Sequence, residues 1–277
     1  MALFNFQKRE IFTDCHIHAE KYAPEEWLSV FHRAQEAGVT KMILSGMDLN
    51  TSMEALMIAD TSPDLLVSVG LHPWLAVKGL PQNLIGCLES LALNPKVVAI
   101  GEIGLDLIDN CAGLTFFDNQ PLVDLQVEAF RLQIKIAVRH HLPLIVHARG
   151  AYSQVISVLE EEKAKMVGGV IHNFQASSHE AEILWKLGFY VSFGGAITYP
   201  EAFELQETVK NVPLKQILIE TDSPYMPLYK QVNEKNEPAN VIRIAQKLAE
   251  LKRLPLEEVT KVVYSNFFRL FGKAKSK

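Results

Sequence analysis

The chain has 277 residues, 48% of them hydrophobic and 21% charged, with a formal net charge of −5. That composition is globular rather than disordered; no apolar run reaches the ~18 residues needed to span a bilayer, and the negative balance excludes the broad basic footprint of a dedicated nucleic-acid binder, so any attraction for phosphate must be local. Cys15, Cys87 and Cys111 are odd in number and widely spaced, which fits reduced thiols rather than a disulfide framework or a cysteine-rich zinc site.

Residues 1–10 mix Lys8, Arg9 and Glu10 with apolar residues. They lack the hydrophobic segment and small-residue cleavage site of a secretory signal, which predicts a cytoplasmic protein. The first strand reads Ile11-Phe12-Thr13-Asp14-Cys15-His16-Ile17-His18. Alternation puts Asp14, His16 and His18 on one side of it and Cys15 and Ile17 on the other. Imidazoles so placed lie roughly 6–7 Å apart along the backbone and can converge on one divalent ion through bonds of about 2.0–2.1 Å. Pro24-Glu25-Glu26 then opens a helix with an acidic first turn, Trp27, Val30, Phe31, Ala34 and Ala37 give it an apolar face, and Gly38 closes it.

A strand over residues 41–44, a helix over 50–60 and a strand over 65–69 follow, the last leading into Gly70-Leu71-His72-Pro73-Trp74. After a helix over 81–93, Val97-Val98-Ala99-Ile100 is apolar without alternation, the pattern of a strand buried on both faces, and it ends in Gly101-Glu102-Ile103-Gly104. Residues 105–123 are expected to form a long loop, of a length that tends to carry function. A helix over 124–141 leads to the strand 144–146, which ends at His147. A helix over 152–165, the strand 169–171 ending at His172, a helix over 178–187, the strand 190–193, a helical stretch and the strand 217–219 come next. That strand ends in Glu220-Thr221-Asp222-Ser223-Pro224, before a helix over 238–251 and a terminal helical pair over 256–271. Eight short apolar strands alternating with helices predict one α/β domain over residues 1–277, a (β/α)8 TIM barrel.

Each metal-type side chain follows one of these strands: His16 and His18 the first, Glu102 the fourth, His147 the fifth, His172 the sixth and Asp222 the eighth. In a parallel barrel those ends share one face, where active sites sit. Any one of them alone is as readily a turn or capping residue; six at one rim point to a site. His, Glu and Asp without cysteine suit Zn²⁺, Mn²⁺ or Mg²⁺ and choose poorly among them. Six ligands exceed what one catalytic ion with an open position needs, so two ions are expected. Glu102 is the bridge, with His16, His18 and Asp222 completing one set and His147 and His172 the other. Such a pair activates water, stabilises a departing oxygen and attracts an anionic phosphate locally.

The sequence resembles the TatD-type metal-dependent DNase family, within the wider amidohydrolase-like barrels. The resemblance runs through Asp14-Cys15-His16-Ile17-His18, Gly70-Leu71-His72-Pro73, Gly101-Glu102-Ile103-Gly104-Leu105-Asp106 and Leu142-Pro143-Leu144-Ile145-Val146-His147. It continues through Ile171-His172-Asn173-Phe174, Glu220-Thr221-Asp222-Ser223-Pro224-Tyr225 and Asn236-Glu237-Pro238-Ala239. It implies a (β/α)8 barrel, a divalent-metal centre at the six positions above and hydrolysis of phosphodiester bonds, often in DNA. The chain departs from the family pattern at Leu107, Asn173 and Gly150, where an aromatic residue, a cysteine and an acidic residue are usual. Those differences fall outside the ligands and in loops that set specificity.

Other candidates each carry two readings. Arg149 clamps a phosphate through its planar fork or makes an ion pair beside a helix start. His72 contacts substrate or donates a proton, or packs its loop with Pro73 and Trp74. Asp106 orients a ligand or anchors the long loop, and Asn236-Glu237 caps the following helix or meets substrate. Asp222, besides binding metal, is placed to take a proton from the attacking water. The function expected is a metal-dependent phosphodiesterase acting on DNA, including exonucleolytic trimming of strand ends, with no membrane and no obligate protein partner. The alternative is an amidohydrolase-like hydrolase of a small amide, lactone or ester. Relatives of that kind bridge their metals with a carboxylated lysine, whereas Lys96 precedes the fourth strand and Glu102 ends it. A barrel that has lost catalysis and serves only to bind is the third reading, and it has no need of six ligands.

Overall fold

The computed structural model describes residues 11–108 and 120–272. The strands are β1 (Phe12–Ile17), β2 (Val39–Ser45), β3 (Leu65–Val69), β4 (Val97–Asp106), β5 (Leu144–Arg149), β6 (Gly169–Ile171), β7 (Phe189–Phe193) and β8 (Ile217–Ile219). They form one sheet in sequential order, parallel throughout. Between and after them run α1 (Pro24–Glu36), α2 (Leu49–Ala59), the single turn α3 (Pro73–Ala76), α4 (Leu84–Ala92), α5 (Gln120–His140), α6 (Tyr152–Glu161), α7 (Ser178–Lys186), α8 (Phe203–Asn211), α9 (Val241–Lys252) and α10 (Leu256–Phe271). This is a (β/α)8 barrel. Among the described residues no helix is long and apolar enough to cross a membrane.

The circle closes between β1 and the segment after β8, at the carboxyl end. His18 N donates to Ser223 O (2.8 Å) and Asp222 N to His16 O (3.0 Å). Below them the Asp14 carboxylate accepts the backbone N–H of Thr221 (3.0 Å) and its hydroxyl. The seam is therefore built from the backbone of three predicted ligands, His16, His18 and Asp222, and from their neighbours Asp14, Thr221 and Ser223. Burial raises the Asp14 carboxyl to about 8, against the pull of those Thr221 hydrogen bonds.

Apolar side chains fill the barrel in two groups. Cys15, Ile43, Leu66, Val98, Ile145, Val170, Tyr190 and Leu218, one or more from every strand, pack with Phe267, Leu270 and Phe271 of α10. A larger group joins the strands to the surrounding helices, with Phe130, Ile134 and Ala137 of α5 fully or almost fully buried. Each large side chain of this kind contributes about 1.5–3 kcal/mol by leaving water.

Four expectations change. Strict alternation in the first strand fails, because an irregularity between Asp14 and Ile17 leaves Cys15 in the barrel interior and Ile17 in the outer group. The fourth strand runs on to Asp106, and α5 begins at Gln120. The expected long loop is thus shorter at both ends, and residues 109–119, with Cys111, lie outside the described residues. The extension depends on two glycines. A Cβ on Gly101 would stand 2.6 Å from Ile145 Cβ, and one on Gly104, at φ +135°, 2.1 Å from His147 O. Without side chains, β4 lies close against β5 and carries Glu102 between them. The terminal helical pair is one 16-residue helix, α10, since nothing between Leu256 and Phe271 is glycine or proline. Of Asn236-Glu237, Glu237 does stand at the N-cap of the turn Pro238–Asn240, without a side-chain cap hydrogen bond, while Asn236 has a different part. Its amide donates to Thr221 O (2.8 Å) and Met226 O (3.0 Å), pinning the loop after β8.

Candidate metal centre

All six predicted ligands meet at the carboxyl end of the barrel, around Glu102. His16 and His18 come from β1 and the residue after it, Glu102 from the middle of β4, His147 from β5, His172 from the residue after β6 and Asp222 from the turn after β8. Asp222 and Asn173 both have left-handed backbones, φ 54° and 43°, which Asp and Asn tolerate best among residues with a side chain beyond Cβ. There the chain leaves its strand abruptly and turns a carboxylate or an N–H back into the site.

The donors form two sets that share Glu102. In the first, His16 Nε2 lies 3.2 Å from His18 Nε2 and 3.3 Å from Glu102 Oε2, while Asp222 Oδ1 is 3.4 Å from His18 Nε2 and 3.8 Å from His16 Nε2. Four donors at about 2.0–2.1 Å from one tetrahedral ion stand about 3.3–3.4 Å apart, so these separations fit a cation. In the second set Glu102 Oε1 lies 2.8 Å from His147 Nδ1 and 3.0 Å from His172 Nε2, and the two ring nitrogens are 3.2 Å apart. The rings of His16 and His172 stack at 4.1 Å, so the sets are contiguous.

Partners behind the rings fix which nitrogen faces inward. His18 Nδ1–H donates to the Ser45 carbonyl (3.1 Å), a pure acceptor, which leaves the Nε2 lone pair for the centre. His16 Nδ1 bonds the Ser45 hydroxyl (3.1 Å). His147 Nε2 faces Asp106 Oδ2 (3.0 Å), and His172 Nδ1 faces Glu220 Oε1 (3.1 Å). Glu20 lies nearby, its Oε1 3.6 Å from both His18 Nδ1 and Lys21 Nζ.

His72 is buried inside the cluster, not at the cleft surface, with Nε2 3.2 Å from Glu102 Oε1. It groups geometrically with Glu102 and His147 as a metal-type triad, but its hydrogen bonds give it another part. The Trp74 backbone N–H donates to His72 Nδ1 (3.1 Å). In the neutral ring the proton is then on Nε2, where it is donated to Glu102 rather than leaving a lone pair for a metal. Burial lowers His72 to about 4 despite the charge of Glu102, which keeps the ring neutral.

The other groups titrate the opposite way. Burial opposes charge on His18, but the nearby carboxylates of Asp222, Glu20 and Glu102 lift it to about 10. Burial likewise opposes charge on His172 and His147. Glu102 and Glu220 nevertheless hold His172 well above the usual imidazole value, and Asp106 with Glu102 raises His147. Glu102 and Asp222 stay below the usual carboxylate range because the surrounding imidazoles outweigh burial. The cluster draws positive charge, as protons or as cations, so cation binding releases protons.

Arg149 is half-exposed, its guanidinium 3.7 Å from Asp106 Oδ2. It stands on the rim of a cavity of about 330 Å³ that opens beside His147 and His172 and is also lined by Ile108, Tyr152, Asn173 and Gln175. Asp106 both meets His147 and accepts the Trp74 indole N–H (2.8 Å). Ser45, Trp74 and Glu220 did not stand out in the sequence. Glu220 carried a usable signal, since it lies two residues before Asp222 at the same strand end; Ser45, one residue past the predicted second strand, carried none.

A parallel eight-stranded barrel with imidazoles and carboxylates converging at its carboxyl end defines the class of metal-dependent hydrolase barrels. The family model described as TatD related DNase matches residues 13–272, and the chain belongs to that family. It is a TatD-type metal-dependent hydrolase. It is 35% identical over 259 residues to the metal-dependent hydrolase YabD of Bacillus subtilis (strain 168), covering 94% of this chain and 97% of the relative. It is 30% identical over 294 residues to Deoxyribonuclease Tat-D of Schizosaccharomyces pombe, covering 92% and 90%. Among solved structures it matches YjjV, a TatD homologue from Escherichia coli K12, with TM-score 0.86 and 31% identity over 94% of this chain and 98% of that one.

Proposed function

We propose that this chain hydrolyses phosphodiester bonds, with DNA as the polymer substrate, at a centre of two divalent cations, Zn²⁺, Mn²⁺ or Mg²⁺. His16, His18, Glu102 and Asp222 hold one and Glu102, His147 and His172 the other. The observation that carries this reading is the division of Glu102: Oε2 faces His16 at 3.3 Å while Oε1 faces His147 at 2.8 Å and His172 at 3.0 Å. A carboxylate turned to two histidine sets would offer one oxygen to each cation. When bound, such a pair of cations supplies an activated water and positive charge for the departing oxygen.

The chain's own groups do the rest. His72 holds Glu102 Oε1 through its Nε2–H. Asp222, whose side chain is 12% exposed against 3% for Glu102, is the more accessible of the two carboxylates and accepts the proton of the attacking water. Arg149 clamps the anionic group at the cavity rim with its planar fork. The match to a relative named Deoxyribonuclease Tat-D supports DNA as the substrate.

The test is hydrolysis of single-stranded DNA and of a generic phosphodiester by chelator-stripped protein, with Mg²⁺, Mn²⁺ or Zn²⁺ restored singly and Glu102→Ala alongside. Cleavage that returns with a cation and is absent from Glu102→Ala supports the reading and identifies the working ion. No cleavage with any ion, in protein that binds two, moves the assignment to a small-molecule amide, lactone or ester.

A further inference from the structure

Glu220 is fully buried beneath the site, on the barrel-interior side of β8, and none of the six predicted ligand positions includes it. Among the described residues its ion-pair partner within 4 Å is an imidazole, His172, and no lysine or arginine. An ionised carboxylate in such a place is costly unless its hydrogen bonds and a counter-charge compensate. Both oxygens are engaged. Oε1 accepts the Asn173 backbone N–H (2.7 Å) and faces His172 Nδ1 (3.1 Å), and Oε2 accepts the Cys15 thiol (3.5 Å). Asn173 reaches it because its left-handed backbone, φ 43°, turns the N–H inward. The same oxygen thus fixes the His172 ring and the chain that follows it.

We propose that Glu220 is a positioning residue for the second half of the centre. Oε1 already accepts the Asn173 N–H and Oε2 the Cys15 thiol, so both oxygens stand as acceptors, His172 presents Nδ1–H, and the ring is locked with Nε2 toward Glu102 and His147. Glutamine at this position keeps the shape but offers an amide N–H as well as a carbonyl. Because the Asn173 N–H and His172 Nδ1 meet the same oxygen, the glutamine carbonyl there still accepts from both but carries no charge, which weakens His172 Nε2 as a donor atom to metal, and the amide N–H falls against the Cys15 thiol. The loss falls on one cation, because His16, His18 and Asp222 make no hydrogen bond to Glu220.

This inference rests on the two-cation reading. The test is calorimetric titration of chelator-stripped, full-length protein with Zn²⁺, repeated with Co²⁺ so that its visible absorption reports each ligand field as the ion enters. Wild-type protein is expected to take up two cations. Glu220→Gln should take up one with wild-type affinity and the other about 10–100-fold more weakly, the usual cost of losing an outer partner of a ligand, with a changed Co²⁺ spectrum for that ion alone. Glu220→Asp, which keeps the charge but withdraws it by one methylene, should fall between and serves where the glutamine variant does not fold. Two cations bound with wild-type affinity by the variants overturn the proposal, as does an equal loss of both, which would mark Glu220 as structural only. A wild-type protein that binds fewer than two cations overturns the two-cation reading, and this proposal with it.

Discussion

The two halves of the centre use the same kinds of donor but are supported differently. Behind His16 and His18 stands Ser45, whose hydroxyl and carbonyl are both neutral. Behind His147 and His172 stand two carboxylates, Asp106 and Glu220. The first half receives its negative charge directly, from Asp222 at 3.4 Å from His18 Nε2. The second has no carboxylate of its own beyond the shared Glu102 and takes its charge from one shell further out. Glu20 does not erase the contrast: at 3.6 Å it is beyond hydrogen-bond reach of His18 Nδ1, and Lys21 at the same distance offsets it. On the proposed two-cation reading, the difference teaches that equivalent cations can be neutralised by a ligand or by what the ligands lean on, and the two designs should break at different residues.

Glu102→Ala should have the largest effect, because it removes the group both halves share and leaves the neighbouring imidazoles without their common anion. Both cations should be lost on dialysis and hydrolysis should fall by more than about 100-fold, beyond the range for residues that only support a ligand. Metal content and turnover measured on the same preparation check it. Asp222→Asn comes next and separates the halves. It should weaken the cation held by His16 and His18 while the one at His147 and His172 binds as in wild type. Turnover should not recover at saturating metal, since the proton acceptor is gone as well. Full turnover of this variant with excess metal would remove Asp222 as the base.

Much of this was legible in the sequence for one reason: strand ends of a parallel barrel meet, so residues that follow apolar runs meet too. The eight strands and the six candidate ligands could be placed from that rule. What escaped depends on facts with no local signature. The extension of β4 through Glu102 to Asp106 depends on a close approach to β5 that only the facing His147 carbonyl and Ile145 side chain make evident at Gly104 and Gly101. The break in alternation at Cys15 is a ladder irregularity against β2, invisible without the partner strand. His72 could be a substrate contact or a packing residue until its Nδ1 was seen to accept the Trp74 N–H, which sends its proton to Glu102. Ser45 and Glu220 matter only through which ring nitrogen they touch, and a sequence does not orient a ring.

Asp106→Asn sharpens the contrast from the supported side. Like the Glu220 substitutions, it should weaken only the second cation, by about 10–100-fold, because an asparagine carbonyl that still accepts the Trp74 N–H at that place carries no charge to support His147. It also loses the charge that faces Arg149, so KM for an anionic substrate should change along with metal affinity, which Glu220→Gln should not cause.

Ser45→Ala should have the smallest effect, for reasons internal to the first half. The substitution deletes the hydroxyl that bonds His16 Nδ1 but keeps the backbone carbonyl that holds His18. One neutral hydrogen bond contributes about 0.5–1.5 kcal/mol, or about 2- to 12-fold in affinity for the first cation, with none expected for the second. Ser68, whose hydroxyl donates to Ser45 Oγ at 3.2 Å, stands close enough to be left without that acceptor, and this favours the upper part of the range. Zinc titration of Ser45→Ala beside Asp106→Asn decides whether neutral support is the weaker kind. If the serine variant loses as much as the aspartate variant, the charge of the outer partner is immaterial, and the two halves differ only in which ligands they contain.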